Sequence, residues 1–350
     1  MPVFDFRGAW TALVTPFKSD GSVDYGGLEK NIEFQIDQGI TGILPVGTTG
    51  ESPTLTEKEH PSIIKQAKKI AGKRCDVLAG TGSNSTREAL GYCGHALHAG
   101  VDKVLLVDCY YNGPSTLELR EEYYSAILEA HRDIKVVVYV IPGRTGTAIS
   151  PADIAILAGR YDRLIAVKEA TGDIARMEEE RALMPAMSIM SGDDDKTFEM
   201  MASPKIKSQG VISVTSNIAP KAVQEMVSAL LSGNMEKGKS LAQKLKPLFS
   251  TVTVKVQSKR TLPGGKEVTV EDRFRNPMAI KAMMNVLGMP AGPGRRPLGK
   301  LTRDAALKLK EALSAVHRDT PEVLEPIAAF YKVDLPKRIA DDSLWAGLVY

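Results

Sequence analysis

The chain carries the stretch IAVKEATG at residues 165–172. Three apolar residues, two of them β-branched, lead into Lys168, and a turn of small residues follows. This pattern predicts a short buried parallel strand with a lysine at its C-terminal end. A buried ammonium group is unusual, because desolvation disfavours its charged form and lowers its pKa. Such a lysine is suited to forming a Schiff base, since only the neutral amine attacks a carbonyl. A strand-end lysine that extends into solvent is the alternative.

The composition limits the class of protein. The 350 residues are 43% apolar and 25% charged, and this length fits two average domains or one α/β barrel with additions. The net charge of +3 comes without a basic stripe, so neither nucleic-acid binding nor a nucleic-acid partner is supported. No apolar run reaches the roughly 18 residues of a membrane span, so no membrane association is expected. Residues 1–7 lack a basic segment followed by an apolar one, which predicts a cytoplasmic protein without a secretion signal.

The cysteines and the acidic residues indicate no metal site. Cys75, Cys93 and Cys109 are odd in number and widely spaced, which predicts buried free thiols rather than disulfides or a zinc site. The run of three aspartates at residues 193–195 has no histidine nearby. Adjacent carboxylates of this kind more often cap the next helix than bind a metal ion.

Strand-like and helix-like runs alternate along residues 1–232. The eight predicted strands, each followed by a predicted helix, are residues 9–15, 42–46, 76–79, 103–107, 136–141, 164–168, 188–191 and 210–214. Eight such units imply a parallel sheet with right-handed crossovers, and eight is the number that closes a TIM barrel. A doubly wound open sheet is the alternative, but no Gly-x-Gly-x-x-Gly follows the first strand. We therefore predict an α/β fold with a (β/α)8 catalytic barrel over residues 1–232.

The alternation stops at residue 233. Residues 233–350 are predicted to form a C-terminal helical region. Within it, two strand-like runs are separated by Gly264 and Gly265, which predicts a β-hairpin over about residues 251–272. We expect this region to be an appendage of the barrel rather than an independent catalytic domain.

Polar residues follow several predicted strands, at the edge of the barrel where active sites lie. GTTGES at residues 47–52 follows the second strand, and its backbone N–H groups and hydroxyls can hold a carboxylate, although a plain βα turn is the alternative. YYN at residues 110–112 follows the fourth strand. Tyr139 can relay protons or simply pack its ring, and Arg144 can clamp a carboxylate or lie in a surface loop.

Together these motifs resemble the dihydrodipicolinate synthase family, within the class I pyruvate aldolase superfamily that includes N-acetylneuraminate lyase. GTTGES, YYN, YxxPxRTG and VKEATG occur in this order, and the resemblance runs from about residue 5 to about residue 232 and loosely through residues 277–300. It implies a TIM-barrel lyase that forms a Schiff base with pyruvate and needs no metal or external cofactor. The implied second substrate is L-aspartate-4-semialdehyde, which gives 4-hydroxy-tetrahydrodipicolinate for diaminopimelate and lysine biosynthesis.

The resemblance also implies roles for single residues. The implied catalytic residues are Lys168, Tyr139, Thr49 and Tyr111. Lys168 condenses with pyruvate, and Tyr139 relays protons with the hydroxyls of Thr49 and of Tyr111, the latter from a neighbouring subunit. The implied substrate-binding groups are Thr48 and Thr49 for the pyruvate carboxylate, Arg144 for the carboxylate of the second substrate, and the backbone of Gly192 and Ile212.

Regulation and assembly follow from the same resemblance. Family members that are inhibited by lysine bind it at the interface of a tight dimer, and the matching positions are Ser52, His60, Asn84, Glu88 and Tyr110. Glu88 would pair with the α-ammonium group and Asn84 would hold the carboxylate, although an ordinary polar interface is the alternative. Family synthases are commonly homotetramers built from tight dimers, which implies a dimer or a tetramer here.

Two other functions stay open. One is another lysine-dependent pyruvate or 2-keto acid aldolase that acts on a sugar acid. Arg144 favours a second substrate with a carboxylate at its far end over this alternative. The other is a non-catalytic sensor of a 2-keto acid, against which the presence of Lys168, Tyr139 and Thr49 argues.

Overall fold

The structure, a computed structural model, describes residues 6–350 and contains a closed barrel of eight parallel strands. The strands pair in chain order and the eighth pairs with the first, so the predicted (β/α)8 barrel is confirmed and the open sheet is wrong. They are β1 (Gly8–Ala12), β2 (Gly42–Leu44), β3 (Asp76–Gly80), β4 (Lys103–Val107), β5 (Lys135–Val140), β6 (Leu164–Glu169), β7 (Ser188–Ser191) and β8 (Gly210–Ser213).

Helices follow the strands and surround the barrel. They are α1 (Tyr25–Asp37), α2 (Glu59–Ala71), α3 (Thr86–His98), α4 (Thr116–Glu118), α5 (Ala126–Ala130), α6 (Pro142–Thr145), α7 (Pro151–Arg160), α8 (Ile174–Leu183), α9 (Thr197–Ala202) and α10 (Pro220–Leu231), with a π-helical segment at Leu119–Ser125. Side-chain hydrogen bonds lie close to the first residues of α2 and α7. The Thr56 amide donates to the Glu59 carboxylate at 2.9 Å, and the Ser150 hydroxyl accepts from the Asp153 amide at 3.0 Å.

The C-terminal region adds six helices and one hairpin to the described chain. They are α11 (Met235–Phe249), β9 (Thr253–Thr261), β10 (Glu267–Arg275), α12 (Met278–Val286), α13 (Arg303–Asp319), α14 (Glu325–Tyr331), α15 (Leu335–Ala340) and α16 (Asp342–Ala346). The predicted hairpin is confirmed, and its ladder runs from Thr253 opposite Arg275 to Thr261 opposite Glu267. Gly264 and Gly265 have φ angles of +97° and +85° in the connecting turn, a left-handed conformation that glycine adopts without a steric penalty.

A shared apolar core joins the barrel to the C-terminal region. The barrel interior is filled by its own cluster, which includes Trp10, Leu105 and Met190. Outside the strands, buried side chains of the barrel helices pack in one continuous cluster with those of α11, α12 and α13. The division of the chain into two domains between residues 232 and 233 stays a prediction.

Several smaller expectations concern the chain as a whole. No helix within residues 6–350 is long and apolar enough to cross a membrane. Cys75, Cys93 and Cys109 are buried free thiols, as predicted. In the same part of the chain, no group of three or more His, Cys, Asp or Glu side chains is placed to hold a metal ion. The prediction of no secretion signal falls largely on residues 1–5, which lie outside the described residues.

Candidate active site

Lys168 and Tyr139 meet at the C-terminal ends of the barrel strands. Lys168 on β6 is the Cα partner of Tyr139 on β5, and partners on neighbouring strands point to the same side of a sheet. Both side chains are only 5% exposed, and the Lys168 Nζ lies 4.2 Å from the centre of the Tyr139 ring. Lys168 is therefore a buried lysine, and the solvent-exposed alternative is wrong.

Burial changes the acidity of both groups. The pKa of Lys168 is lowered to about 8, mainly because desolvation disfavours the ammonium form, and Arg144 lowers it further. The carboxylates of Asp193 and Asp194 raise this pKa and so limit the shift. Desolvation also raises the pKa of Tyr139 above its ordinary value, so its phenol stays protonated at neutral pH. The pair thus combines an amine that is readily deprotonated with a phenol that can donate a proton.

The amine and the phenol face a cavity of about 290 Å³. Its lining includes Thr48, Thr49, Tyr139, Arg144, Lys168, Gly192, Asp193, Val214, Thr253, Arg273, Arg275 and Asn276. Position 192 requires glycine, because a Cβ atom there would lie 2.6 Å from the Cβ of Ala170. Ile212 does not belong to this lining: its side chain packs in the barrel interior, and Val214, just after β8, lines the cavity instead.

Thr48 and Thr49 have different partners. The Thr48 hydroxyl lies close enough to the Tyr139 phenol to lower the phenol's pKa, whereas the Thr49 hydroxyl accepts a hydrogen bond from the Asn276 amide at 2.9 Å. The relay between Tyr139 and Thr49 stays a prediction, and the structure offers Thr48 as the neighbouring hydroxyl. The sequence could not show which of the two threonines lies beside Tyr139, because side chains in a turn do not alternate between two sides as they do along a strand.

Arg144 lies on the short helix α6 at the rim of the cavity. The residue is exposed overall, but its guanidinium group is partly desolvated, and its Nη2 donates to the backbone carbonyl of Asn276 at 2.9 Å. A second cavity, of about 220 Å³, shares Thr48, Tyr139 and Arg144 with the first. Arg144 therefore borders both cavities, and its guanidinium group suits the binding of an anion there.

The aspartates after β7 have roles that the sequence did not predict. Asp193 lines the cavity, and burial together with the charge of Asp195 raises its pKa to about 6, while Lys168 lowers it. Asp194 is buried and accepts hydrogen bonds from the amides of Val214 and Thr215 at 3.0 and 2.9 Å. It therefore braces the loop after β8, and the expectation that these carboxylates cap the following helix is wrong for Asp194.

Residues of the hairpin and of the turn after it were also missed. Arg273, Arg275 and Asn276 line the cavity, although the sequence places them in the C-terminal appendage. Arg275 donates from its Nη1 to the carbonyl of Gly143 at 2.6 Å, across 132 positions of the chain. No local pattern predicts a contact over such a separation.

Tyr111 does not line the cavity of its own chain. Its side chain is 91% exposed, and its φ angle is +79°, which is rare for a bulky residue. Sparsely populated backbone conformations concentrate at functional sites, where the surrounding structure holds them. The preceding residue, Tyr110, instead turns inward and lines the second cavity.

The residues matched to a lysine site lie on the side of the second cavity. Ser52 lines that cavity together with Tyr110. Asn84 and Glu88 both accept from one hydroxyl, that of Ser83, at 3.4 and 2.6 Å. Both acceptor side chains are exposed, so they are available to a neighbouring molecule.

His60 has a different environment from the other four residues of that set. It is 1% exposed, and its ring stacks on Tyr92 with the ring centres 4.0 Å apart. Desolvation lowers its pKa to about 4, so the imidazole is neutral at physiological pH. His60 can therefore shape the wall behind the site but does not offer a charge to a ligand.

Known proteins resemble this chain along most of its length. A sequence model described as the dihydrodipicolinate synthetase family matches residues 5–316. The 4-hydroxy-tetrahydrodipicolinate synthase of Methanococcus vannielii is 38% identical over 310 residues, which cover 89% of this chain and 98% of that protein. The solved 4-hydroxy-tetrahydrodipicolinate synthase of Methylacidiphilum fumariolicum is 34% identical, with a TM-score of 0.81 and coverage of 92% of this chain and 99% of that one. A dihydrodipicolinate synthase structure from Cyanidioschyzon merolae with lysine bound is 32% identical, with a TM-score of 0.79 and coverage of 89% and 98%.

Proposed function

Because the chain belongs to the dihydrodipicolinate synthetase family, we propose that it condenses pyruvate with L-aspartate-4-semialdehyde to give 4-hydroxy-tetrahydrodipicolinate. The chain is a lyase of the class I aldolase type, and enzymes of this family use a covalent Schiff base on a lysine without an external cofactor. The product would enter diaminopimelate and lysine biosynthesis, and we place this reaction in the cytoplasm. The observation that carries the proposal is the buried Lys168, with a pKa of about 8, beside Tyr139 in a cavity.

The first half of the reaction makes a nucleophile from pyruvate. The neutral Lys168 amine adds to the keto carbon, and loss of water gives an iminium ion. The positive nitrogen withdraws electrons, so a proton leaves the pyruvate methyl group and an enamine forms. Backbone N–H groups and hydroxyls at Thr48 and Thr49 would hold the pyruvate carboxylate, since a glycine-flanked turn presents donors to an anion.

Each of these steps moves a proton, and the residues around Lys168 suit a relay. The raised pKa of Tyr139 keeps its phenol protonated, and Thr48 offers the neighbouring hydroxyl, so we assign the relay to this pair. Tyr111 is exposed and would supply the third hydroxyl to the site of a neighbouring subunit. A tight dimer, alone or within a tetramer, is therefore part of the proposal.

The second half joins the enamine to the aldehyde. The new carbon–carbon bond forms between the pyruvate methyl carbon and the aldehyde carbon, and the aldehyde oxygen takes a proton. The amino group of the acceptor then replaces Lys168 at the iminium carbon, which closes the ring and frees the enzyme. Arg144 at the rim would bind the acceptor carboxylate, which favours this acceptor over a sugar acid.

We further propose that lysine inhibits the enzyme through the face that carries Ser52, Asn84, Glu88 and Tyr110. The relative from Cyanidioschyzon merolae was solved with lysine bound, and the exposed Glu88 carboxylate of this chain suits an ammonium group. Activity that is unaffected by millimolar lysine would remove this part of the proposal without touching the catalytic part.

Product formation tests the proposed reaction. The purified chain is supplied with pyruvate and either L-aspartate-4-semialdehyde or an uncharged sugar aldehyde, and consumption of each aldehyde is followed. We expect a much higher kcat/KM with the semialdehyde, and Arg144→Gln should raise the KM for this acceptor more than it lowers kcat. A preference for the sugar aldehyde would favour the sugar-acid aldolase instead. Binding of pyruvate without turnover of any aldehyde would favour the sensor.

A further inference from the structure

The hairpin presents one face to the core and the other to the active-site cavity. Val254 and Val256 on β9 are buried in the main apolar cluster, and Phe274 packs against it. Side chains alternate along a strand, so the residues on either side of Phe274 point the opposite way. These two residues are Arg273 and Arg275, here called the hairpin arginines, and both line the cavity. The apolar face thus fixes the hairpin so that two guanidinium groups reach the active site.

The hairpin arginines join Arg144 at the rim. Arg275 donates to the carbonyl of Gly143, and Arg144 donates to the carbonyl of Asn276. This reciprocal pair of hydrogen bonds ties the end of the hairpin to α6. The pKa of Arg144 is lowered by desolvation and further by the charges of Arg275 and Arg273, while Tyr139 raises it. Three like charges are therefore held close together.

None of these three arginines forms an ion pair within residues 6–350, although the Asp193 carboxylate lines the same cavity. Other cations of the hairpin behave differently. Lys255 pairs with Glu271, Lys259 with Glu267 and Arg260 with Asp272, at 3.5, 3.4 and 2.7 Å. The hairpin therefore neutralises the cations along its body and leaves its two cavity-facing arginines unpaired.

The proposed acceptor accounts for only part of this charge. L-aspartate-4-semialdehyde has one carboxylate, which Arg144 would bind, and the pyruvate carboxylate is assigned to the turn at Thr48 and Thr49. Each guanidinium has five N–H donors, and Arg275 commits one of its donors to Gly143 in the described structure. A phosphate group has about two negative charges and three strong acceptor oxygens, which matches three converging guanidinium groups.

We propose that Arg273 and Arg275 join Arg144 in a phosphate-binding subsite, through which the enzyme also condenses pyruvate with phosphorylated aldehydes. The inference rests on the proposed function, because the acceptor must meet the pyruvate enamine in this cavity. The carbon–carbon bond again forms between the enamine carbon and the aldehyde carbon, and the aldehyde oxygen takes a proton. Where the acceptor has no amino group, water adds to the iminium carbon, Lys168 leaves as the amine, and a hydroxy-keto acid is released.

Binding of inorganic phosphate tests the subsite without any catalysis. Calorimetry compares the wild type with Arg273→Gln, with the double variant Arg273→Gln/Arg275→Gln and with Lys266→Gln. Lys266 is an exposed cation in the hairpin turn, so its replacement removes the same charge away from the cavity. We expect the affinity to fall about threefold in the single variant and about tenfold in the double variant, and to change little in the control. Equal affinities in all four proteins, or no binding to the wild type, would overturn the proposal.

Acceptor preference tests the activity. Glyceraldehyde 3-phosphate and glyceraldehyde share a carbon skeleton, so the ratio of their kcat/KM values isolates the effect of the phosphate. We expect the wild type and Lys266→Gln to prefer the phosphorylated acceptor and the preference to fall in Arg273→Gln. This single change is the safer variant, because Arg273 is exposed and Arg275 has the structural hydrogen bond to Gly143. A wild-type preference for glyceraldehyde would refute the further activity. Failure of the wild type to trap pyruvate with borohydride, measured before any aldehyde is added, would refute the proposed function itself.

Discussion

Two buried lysines show how a reactive amine differs from a structural one. Lys281 is 1% exposed, and its ammonium group lies 2.6 Å from Glu51 and donates to the carbonyls of Thr15 and Pro293. Both Nζ atoms lie over an aromatic ring, but Lys168, which is 5% exposed, faces a cavity. Desolvation lowers the pKa of both lysines, but at Lys281 the charge and the hydrogen bond of Glu51 oppose this shift, whereas Lys168 has no such hydrogen-bonded carboxylate in the described structure. The surroundings of Lys168 therefore suit a nucleophile.

The rate at which pyruvate is trapped should depend on pH through the ionisation of Lys168. Only the neutral amine reacts, so the initial trapping rate with borohydride should rise with an inflection near pH 8, where the pKa lies, rather than near 10.5. The Asp193 carboxylate stabilises the ammonium form, so Asp193→Asn should move the inflection to lower pH. Asp195→Asn is the control, because Asp195 is exposed and is not among the groups that shift Lys168. A shift to higher pH in Asp193→Asn would contradict this electrostatic assignment.

The adjacent threonines should affect different kinetic constants. Thr48→Val removes the hydroxyl beside Tyr139, so kcat should fall by about 10²-fold, in the range of general acid–base effects. Thr49→Val removes the acceptor for Asn276, so it should mainly raise the KM for pyruvate. Steady-state kinetics at varied pyruvate concentration separates the two effects. A larger fall of kcat in Thr49→Val than in Thr48→Val would show that the relay uses Thr49 rather than Thr48.

At the scale of elements, α12 supports the turn that follows β2. Glu51 follows GTTG in this turn, and its carboxylate is held by Lys281 of α12 and by the backbone amide of Arg295 at 2.8 Å. A buried carboxylate that loses its cation keeps the cost of desolvation without the compensating attraction. The C-terminal region therefore helps to shape the candidate site as well as covering the barrel.

Loss of this ion pair should destabilise the protein. Lys281→Met should lower the free energy of unfolding by about 3–5 kcal/mol, because it leaves the Glu51 carboxylate buried without its cation. Lys281→Met/Glu51→Gln should recover part of this loss, and Lys300→Met, at an exposed position, is the control. Urea unfolding measures all three variants. A loss below about 1 kcal/mol in Lys281→Met would show that the pair contributes no more than a surface salt bridge.

The sequence predicts local structure well and distant contacts poorly. The eight strands and the hairpin turn were predicted because each depends on residues within a few positions. The same holds for Lys168, which the strand pattern places at the end of β6. The approach of Arg275 to Gly143 could not be predicted, since the two residues are 132 positions apart and belong to different regions. The roles of Asp193 and Asn276 were missed for the same reason.

At the scale of the whole molecule, Tyr111 is the residue on which the proposed assembly rests. A tyrosine with 91% exposure and a φ angle of +79° has few contacts of its own chain to stabilise it. Contacts with a second chain would supply them, and we propose above that this residue reaches the active site of a neighbouring subunit. Under this proposal, the active site of one chain would be complete only in the assembly.

Mixing two inactive variants tests this sharing. Tyr111→Ala keeps Lys168 but supplies no tyrosine to its neighbour, and Lys168→Ala supplies the tyrosine but has no nucleophile. In a mixed dimer, one of the two sites should contain both groups, so co-refolding or subunit exchange should restore activity. The recovered rate should approach half of the wild-type rate per mixed dimer. If native mass spectrometry shows mixed dimers but no activity is restored, Tyr111 does not act in the site of its neighbour.

Borohydride reduction in the presence of pyruvate, followed by mass spectrometry of the intact protein and its peptides, tests the central claim most directly. The wild type should gain the mass of one reduced pyruvate adduct, located on the peptide that contains Lys168. Lys168→Ala should show no adduct although it remains folded, since the other buried lysine, Lys281, is held by Glu51. An unmodified wild type, or an adduct that persists in Lys168→Ala, would contradict the Schiff-base mechanism and the role of Lys168.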